Sequence, residues 1–473
     1  MDFQAVKGRN FEREIVKLKP EITMYLIDSK EHGLINIALC HLRQLDLFAN
    51  LFLLRNYSAQ SGNDPKKRYA WGYTPPRIPF FRGFICLSLS SYSSTMTITV
   101  AYFVAFIVLG IVTASLGPTL PGLAEQTGAQ LSQISFLFAT RSLGYLMGSF
   151  LGGRLYDRAK GHLLIGAALL LMATALALVP VIPLLWLLAI VLLVIGMGEG
   201  LLDVGGNTLI VWLHGRKVGP FMNGLHFFFG IGAFLSPVLV AQIILLNGGI
   251  RGAYWLFALL VLPVGLWFFR LPSPIAPKAN DLEKTVPRMN YTLLWGIVAF
   301  MALYVGAEVS YGSWIYTYGL ARGISDVNAA YLTSVFWGAF TLSRLISIPV
   351  GVRVRPSHIL MANFVGALLS LGLIFFWQEN LILLWMGTFG FGFSIAPIFP
   401  TMLTFAGNRM AITGRVTGYF FLGATAGGMF LPWFIGQCFE KVGPQFVVHA
   451  LLTDMLLTFT VFALIFFTGK KRM

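Results

Sequence analysis

Twelve long apolar stretches follow one another between residues 97 and 468, and short charged or polar joints separate them. Each is about 20 residues or longer, the length that an α-helix needs to cross a hydrocarbon core of about 30 Å. Inside lipid, backbone groups must be bonded within their own segment, so such a stretch crosses as a helix. The sequence therefore predicts an all-α polytopic membrane protein. The candidate spans are 97–118, 131–153, 162–180, 184–212, 219–246, 251–271, 291–318, 326–350, 357–377, 380–405, 414–436 and 445–468.

Charged residues are few, and most of them lie in the joints. Asp, Glu, Lys and Arg make up 11% of the chain, whereas a soluble protein carries about 25%. If residue 96 lies inside, the inner joints and the C-terminus hold 16 Lys or Arg and the outer joints hold three. Basic residues collect on the cytoplasmic side, so we expect both termini in the cytoplasm and a location in the plasma (inner) membrane. The same distribution explains the net charge of +15 without a nucleic-acid partner.

The sequence carries no signature of an enzyme or of a bound cofactor. Cys40, Cys86 and Cys438 form no close pair and no Cys-x-x-Cys motif, so we expect neither a disulfide framework nor a metal site. There is no nucleotide-binding loop and no nucleophile–base pair at the membrane surface. We therefore predict no catalytic residue, no cofactor and no metal.

Residues 1–95 differ from the rest of the chain. They are mixed in polarity and lack an apolar run of 20 residues, and Met96 stands directly before the first span. The segment 83–92 is too short and too polar to cross a membrane. We interpret 1–95 as an extension that is disordered or lacks a native fold. The alternative is a cytoplasmic regulatory domain.

The longest joint divides the spans six and six. Residues 272–290 hold four prolines and mixed charges, which is typical of a linker. We therefore assign 96–271 to an N-terminal half, 272–290 to a cytoplasmic linker and 291–473 to a C-terminal half.

The two halves repeat in sequence. The segment 219–237 aligns with 414–432 at a constant offset of 195, and the same offset pairs Gln242 with Gln437. Two parallel six-helix repeats are typical of secondary transporters, whose binding site lies between the repeats near the middle of the membrane.

A polar stripe interrupts the fourth span. Glu199, Asp203 and Asn207 recur at every fourth position, so they share one face of the helix. An acid at the centre of a membrane helix costs about 2.5–3.5 kcal/mol on insertion scales. This face must therefore lie in the protein interior, line a cavity or pair with other polar side chains. Glycines within 196–206 let neighbouring helices approach closely. We interpret the stripe as functional. The alternative is a buried stripe that only holds helices together.

A helix rises 1.5 Å per residue, and by this measure further polar residues lie near the same depth in the membrane. Arg141 falls near the middle of the second span, where we expect it to pair with a buried acid and to contact substrate. Asn223 and His226 enter from the cytoplasmic end of the fifth span, and we expect them to face Asp203 and Asn207. The sequence is consistent with two roles for His226: it carries a proton, or it is a structural residue whose hydrogen bonds are satisfied within the protein.

The seventh span carries an acid among aromatic residues. Sugars present apolar ring faces edged by hydroxyl groups, so the faces of Tyr311 and Trp314 beside the Glu308 carboxylate suit them. An aromatic belt at the bilayer interface is the alternative for the aromatic residues, but it does not explain Glu308. In the tenth span, Pro397 and Pro400 predict a broken helix, which either bends during transport or is a packing kink.

One joint carries a family motif. Between the second and third spans the chain reads Gly153-Arg-Leu-Tyr-Asp157-Arg158. With the two six-span halves, this motif resembles the major facilitator superfamily across about 96–468. The resemblance implies the two-half fold of that superfamily, and it makes Gly153, Asp157 and Arg158 parts of a cytoplasmic latch whose charges pair across the halves.

Other segments resemble particular members of the superfamily. The Asp203-x-x-x-Asn207 pattern and 223–233 resemble the fourth and fifth helices of fucose–proton symporters, and 308–315 resembles the seventh helix of sodium-dependent glucose transporter-like members. The resemblance implies cation coupling through Asp203. The fucose permease has an acid in its first helix that 97–120 lacks, so either Glu199 or Glu308 takes its place or the coupling differs from that of the fucose symporters. The residues assigned to substrate binding are Arg141, Glu199, Asn207, Asn223, His226, Glu308, Tyr311 and Trp314.

These observations predict a secondary active transporter that takes up a sugar by alternating access and works as a monomer in the bilayer. A buried carboxyl group that meets water in only one state can bind and release a proton. A carboxylate beside an amide oxygen could instead hold Na⁺, and the sequence does not choose between H⁺ and Na⁺. The alternative functions are an exporter of amphipathic small molecules and a non-transporting membrane receptor.

Overall fold

The protein is described by a computed structural model that covers residues 80–274, 290–410 and 414–468. Within these ranges the chain is helical and has no strand, and twelve helices are long and apolar enough to cross a membrane. Each overlaps one predicted span, so the all-α, twelve-span prediction is confirmed. We number them span 1 to span 12. Their helices are Phe80–Thr113 and Leu116–Thr127 (span 1), Leu131–Ile134 and Phe136–Leu155 (span 2), Gly161–Leu178 (span 3), Leu185–His214 (span 4), Gly219–Leu245 (span 5), Gly249–Phe268 (span 6), Tyr291–Ala321 (span 7), Asp326–Arg353 (span 8), Pro356–Phe376 (span 9), Leu381–Ile395 and Ile398–Gly407 (span 10), Gly414–Val442 (span 11) and Phe446–Thr468 (span 12).

Two predicted segments lie largely outside the described residues. The extension 1–95 is described only from residue 80, where the helix of span 1 begins. The part of that helix with membrane-spanning character begins at Thr95, close to the predicted start. Most of the predicted linker, 275–289, also lies outside the described ranges.

Three of the described spans are divided into two helices, and in spans 1 and 10 a proline follows the break. The helix of span 10 ends at Ile395 and resumes at Ile398, as its prolines predicted. Pro400 has no N–H with which to bond the carbonyl four residues earlier, at Ala396. The break in span 1, after Thr113, was not predicted, although Pro118 removes the equivalent bond there.

The sequence repeat is visible in the packing of the helices. A Cβ atom on Gly232 of span 5 would collide with the carbonyl oxygen of Ile107 in span 1. A Cβ on Gly427 of span 11 would collide in the same way with Ala302 in span 7. Both glycines and both carbonyl residues are related by the offset of 195, since 232 + 195 = 427 and 107 + 195 = 302. The two halves therefore repeat one close helix–helix contact, for which glycine is required.

Hydrogen bonds join the two halves at one end of the molecule. We call the end that carries the joints 156–160 and 215–218 the basic end, and the other the opposite end. At the opposite end, Glu440 of span 11 accepts bonds from the Leu131 N–H (2.7 Å) and the Ser132 hydroxyl (3.2 Å) of span 2. Gln437 donates to the Ser132 carbonyl over 2.6 Å. These contacts close the seam between spans 2 and 11.

The repeat places a second glutamine in the equivalent position. Gln242 of span 5, which the offset relates to Gln437, donates to the Tyr331 hydroxyl of span 8 over 2.8 Å. Deeper in the same seam, Gly230 of span 5 lies so close to Thr341 of span 8 that a Cβ would overlap the Thr341 side chain. Spans 5 and 8 therefore seal the other side of the interface between the halves.

The predicted latch lies at the basic end. Gly153, Asp157 and Arg158 are all exposed, and no Asp157 or Arg158 salt bridge joins them to another described residue. Among hydrogen bonds between described residues, those that join the halves lie from Ser142 toward the opposite end. In this conformation the latch is therefore not engaged with the described part of the other half.

We expect that removing the contacts between spans 2 and 11 opens the opposite end. The double change Glu440→Ala with Gln437→Ala deletes several hydrogen bonds, each worth about 1 kcal/mol net, so the open population should rise about tenfold or more. Ser142, whose hydroxyl lies 3.5 Å from the Gly428 carbonyl, is the reporter position just inside these contacts. In a chain whose native cysteines are replaced by serine, the labelling rate of Ser142→Cys by an impermeant maleimide measures the opening.

Glu379→Ala is the matched control for that experiment. Glu379 lies at the same end with a side chain that is 96% exposed, and its salt bridge to Arg322 stays within one half. The labelling rate should not change in this variant. An equal increase in both variants, or none in the double variant, would show that Glu440 and Gln437 do not hold the halves together.

Candidate functional site

An ion pair lies at the centre of the N-terminal half. Arg141 of span 2 donates from Nε to Glu199 Oε2 over 2.8 Å and from Nη2 to Oε1 over 2.5 Å. Arg141 is 9% exposed and Glu199 is 4% exposed. The expectation that Arg141 pairs with a buried acid is confirmed. A two-point arginine–carboxylate contact fixes the geometry as well as the charge balance.

Span 1 completes this ion pair. The Thr113 hydroxyl donates to Glu199 Oε1 over 2.8 Å, and Arg141 also donates to the Val112 carbonyl over 2.7 Å. Both Glu199 oxygens therefore accept bonds from protein groups, and the pair links spans 1, 2 and 4. In this conformation the pair acts as an anchor between three helices, with little capacity left for a substrate or a coupling ion.

The glycines of span 4 make this approach possible. A Cβ on Gly196 would overlap the Arg141 carbonyl oxygen, and one on Gly200 would overlap the carbonyl oxygen of Tyr145. From span 2, Gly144 meets the backbone of Leu193 in the same way. Spans 2 and 4 therefore pack backbone to backbone, as the glycine content predicted.

Asp203 lies one turn further along span 4 in a different environment. Its Oδ2 accepts a 2.5 Å bond from the Tyr145 hydroxyl, and its Oδ1 accepts a 2.9 Å bond from the Asn207 amide. Asp203 is half-buried, and no salt bridge joins it to another described residue. The carboxylate, the Asn207 amide and the Tyr145 hydroxyl thus form a group of oxygen-bearing side chains whose negative charge has no cationic partner in the described chain.

The structure corrects the expected position of the fifth-span residues. Asn223 is exposed, and neither it nor His226 bonds to Asp203 or Asn207. The Phe106 ring of span 1 lies between the two helices, since it fills the space beside Gly206 of span 4 and meets the His226 ring at a centroid distance of 6.2 Å. The prediction failed because a residue count sets depth along a span but does not show which helix passes between two others.

Glu308 forms a second polar centre, in the C-terminal half. Its Oε2 accepts a short hydrogen bond from the Tyr304 hydroxyl, which also lies 3.1 Å from the Ile395 carbonyl. Arg344 of span 8 is close enough to act electrostatically on both Glu308 and His226, but its nitrogens are not within salt-bridge distance of Glu308. Glu308 and His226, both predicted site residues, therefore lie near the same charged side chain, that of Arg344.

The two aromatic residues predicted to bind substrate are buried in this conformation. Tyr311 bonds Thr388 Oγ1 over 2.8 Å, and Trp314 donates from Nε1 to the Pro432 carbonyl over 2.9 Å. Trp314 also stacks on Phe439, with centroids 5.2 Å apart. Their polar atoms are occupied by protein groups, so in this state both side chains serve packing inside the C-terminal half.

Four residues of these centres were not identified from the sequence. Thr113, Tyr145 and Tyr304 are ordinary members of apolar spans, and nothing in their local sequence separates them from packing residues. Arg344 carried a usable signal, since an arginine inside an apolar span is itself a functional hypothesis. Among the described residues, no three His, Cys, Asp or Glu side chains are grouped to hold a metal ion.

A cavity of about 510 Å³ lies away from both centres, at the opposite end. It opens between the two halves and includes the charged residues Glu125, Arg251 and Asp326. The Tyr316 hydroxyl, also in its wall, donates to Asp326 over 3.1 Å. None of the predicted site residues lines this cavity.

Comparison with known proteins identifies related sequences. Residues 98–432 match the family described as Major Facilitator Superfamily. The chain is 34% identical over 383 residues to "Sodium-dependent glucose transporter 1" of Xenopus laevis. The aligned region covers 75% of this chain and 77% of that protein.

Two solved structures show the same fold at low identity. A nucleoside transporter structure superposes with a TM-score of 0.64 at 14% identity, covering 78% of this chain and 99% of that one. A D-xylose–proton symporter gives a TM-score of 0.59 at 15% identity, covering 78% and 97%.

Proposed function

Because the chain belongs to the Major Facilitator Superfamily, we propose that it is a cation-coupled transporter that takes up a sugar by alternating access. It is an integral multi-pass membrane protein related to sodium-dependent glucose transporters. The related protein named above supports a hexose as substrate and Na⁺ as the coupling ion to test first. We further propose that the basic end faces the cytoplasm, since basic joints collect there.

The observation that carries the proposal is the contrast between the two acids of span 4. Arg141 neutralises Glu199, whereas Asp203 is held by neutral groups, the Tyr145 hydroxyl and the Asn207 amide. A half-buried carboxylate without a cationic partner gains from binding a cation. Coupling requires this property, because the cation must stabilise one state of the transporter more than the other.

Uptake into proteoliposomes tests the proposal. Purified protein is reconstituted, and accumulation of radiolabelled D-glucose is followed under an inward Na⁺ gradient, an inward proton gradient or neither. Accumulation that requires the Na⁺ gradient and disappears with an ionophore is the expected result. Accumulation under the proton gradient alone would assign H⁺ as the coupling ion.

Two other outcomes separate the alternative functions. A chain that binds a sugar in a thermal-shift assay but moves none across the membrane would be a receptor. A chain that ignores sugars but moves an amphipathic compound out of vesicles would be an exporter. Either result would overturn the proposed function.

A further inference from the structure

We propose that Arg344, together with His226 and Glu308, forms a substrate-binding centre that spans the two halves and selects uncharged, multiply hydroxylated molecules. Arg344 is assigned the role of donating hydrogen bonds to substrate oxygens. This inference rests on the proposed function, since it names the residues and the charge of the substrate at the interface between the halves.

The packing of spans 5 and 8 places His226 and Arg344 at the same level of the interface. The two spans touch where Gly230 meets the Thr341 side chain. His226 lies about one turn from Gly230, and Arg344 about one turn from Thr341. Span 5 begins at the basic end and span 8 ends there, so both displacements point toward the basic end. The two side chains therefore come from different halves at one depth.

The Arg344 guanidinium is held in place by a neighbouring ring, but not all of its hydrogen-bond donors are used. Its carbon lies 4.4 Å from the centroid of the Phe340 ring, which lies one turn earlier on the same helix and orients the group. Its Nε is buried and has no acceptor among the described residues. A buried donor left unbonded is unfavourable, because it has lost its hydrogen bonds to water and gained none in the protein. The guanidinium therefore offers an oriented donor that a ligand oxygen can satisfy.

The neighbours of Arg344 supply the complementary groups. Glu308 receives the Tyr304 hydroxyl on Oε2, while no described residue donates to its Oε1. Neither ring nitrogen of His226 is hydrogen-bonded to another described residue. The centre thus combines a donor, an acceptor and an imidazole that can serve as either. A sugar, whose hydroxyl groups both donate and accept, matches this set.

The charges of the centre argue against an anionic substrate. Glu308 lies near enough to Arg344 for their opposite charges to interact, without a salt bridge between them. A carboxylate or phosphate on the substrate would face Glu308 as a like charge, at an energetic cost. The centre should therefore prefer a neutral sugar to the corresponding sugar acid, and Glu308 should determine that preference.

The first test replaces the arginine. Arg344→Gln in reconstituted protein should raise KM for D-glucose about tenfold to a hundredfold, because a charge-assisted hydrogen bond is lost. At saturating D-glucose the variant should still accumulate substrate, since the coupling cation is assigned to Asp203. Unchanged KM would overturn the inference. Wild-type protein that transports no sugar would instead refute the proposed function, so the two failures are distinguishable.

Arg409→Gln is the matched control. Arg409 also stacks on a phenylalanine one turn earlier, at 4.0 Å from the Phe405 centroid, but its Nη1 donates to the Ile465 carbonyl over 2.9 Å. It lies at the end of span 10, outside the proposed centre. KM for D-glucose should therefore be unchanged in this variant. An equal rise in KM in both variants would show that the effect of Arg344→Gln comes from a general loss of packing, and it would overturn the inference.

A second variant tests the charge preference even if Arg344 variants fold poorly. Glu308→Gln removes the charge that opposes an anion and leaves Arg344 unbalanced. D-Glucuronate should then inhibit D-glucose binding at least tenfold more strongly, relative to wild type, in a competition thermal-shift assay. No change in inhibition by D-glucuronate would overturn the assignment of Glu308 and Arg344 to one centre.

Discussion

Asp203→Asn is expected to abolish the accumulation of substrate against its gradient while leaving binding and exchange largely intact. The asparagine keeps the size of the side chain and an oxygen that can accept the 2.5 Å bond from the Tyr145 hydroxyl. It removes the charge that would hold Na⁺ and the group that would carry a proton. Exchange needs no net movement of the coupling cation, whereas accumulation does, so the two activities should separate.

Two assays on the same proteoliposomes measure this separation. One follows exchange of internal for external substrate without a gradient, and the other follows net uptake under an inward cation gradient. Asp454→Asn is the matched control, because Asp454 is a buried acid, 6% exposed, in span 12 and outside both polar centres. Its accumulation should equal that of wild type.

Two results would contradict the assignment of Asp203. If Asp203→Asn still accumulates substrate, coupling must pass through Glu199 or Glu308. If exchange and uptake both vanish while the protein remains folded, Asp203 is a substrate ligand or a structural anchor. In either case the proposed coupling role would be wrong.

Arg141→Met is expected to lower the free energy of unfolding by about 3–5 kcal/mol. The change leaves Glu199, which is 4% exposed, with the Thr113 hydroxyl as its remaining hydrogen-bond donor in the described chain. An acid left unpaired in such a site is costly because its charge is neither solvated nor balanced. The loss should appear as a large fall in the apparent melting temperature of the purified protein in detergent.

The double variant Arg141→Met with Glu199→Met should regain most of that loss. Replacing both members of a buried pair by apolar groups of similar volume is often neutral or stabilising. The control is Glu379→Gln, which removes the charge of a 96% exposed acid that lies 3.6 Å from Arg322 and should cost less than about 1 kcal/mol.

Substrate binding by the double variant then decides the role of the pair. If the pair is an anchor, the double variant should be stable and bind substrate. A double variant that is stable but no longer binds substrate would show that Arg141 or Glu199 contacts substrate directly, as predicted from the sequence.

The number and approximate limits of the spans were determined by the sequence alone. A membrane helix must bond its own backbone and present an apolar surface, and both requirements are local to one stretch of chain. The equivalence of the two halves was also readable, because the repeat at offset 195 persists in the paired contacts of Gly232 and Gly427. The break in span 10 followed from prolines within the span itself.

The partners of the polar residues were decided only by the tertiary structure. Glu199 and Asp203 are acids one turn apart on one face, and their own sequence does not show which of them meets a cation. The register between spans 2 and 4 decides it, because Gly196 lies against the backbone of Arg141 and Gly200 against that of Tyr145. This register places the arginine opposite Glu199 and the tyrosine opposite Asp203.

The arrangement around span 1 shows the same limit on a larger scale. His226 and Asp203 lie at depths that a residue count predicts, yet Phe106 lies between their helices. His226 instead shares the electrostatic environment of Arg344, which comes from the other half and is 118 positions away, since 344 − 226 = 118. Depth in the membrane is a property of one helix and can be counted along the chain. Which side chains meet at that depth depends on how several helices cross, and no local periodicity records it.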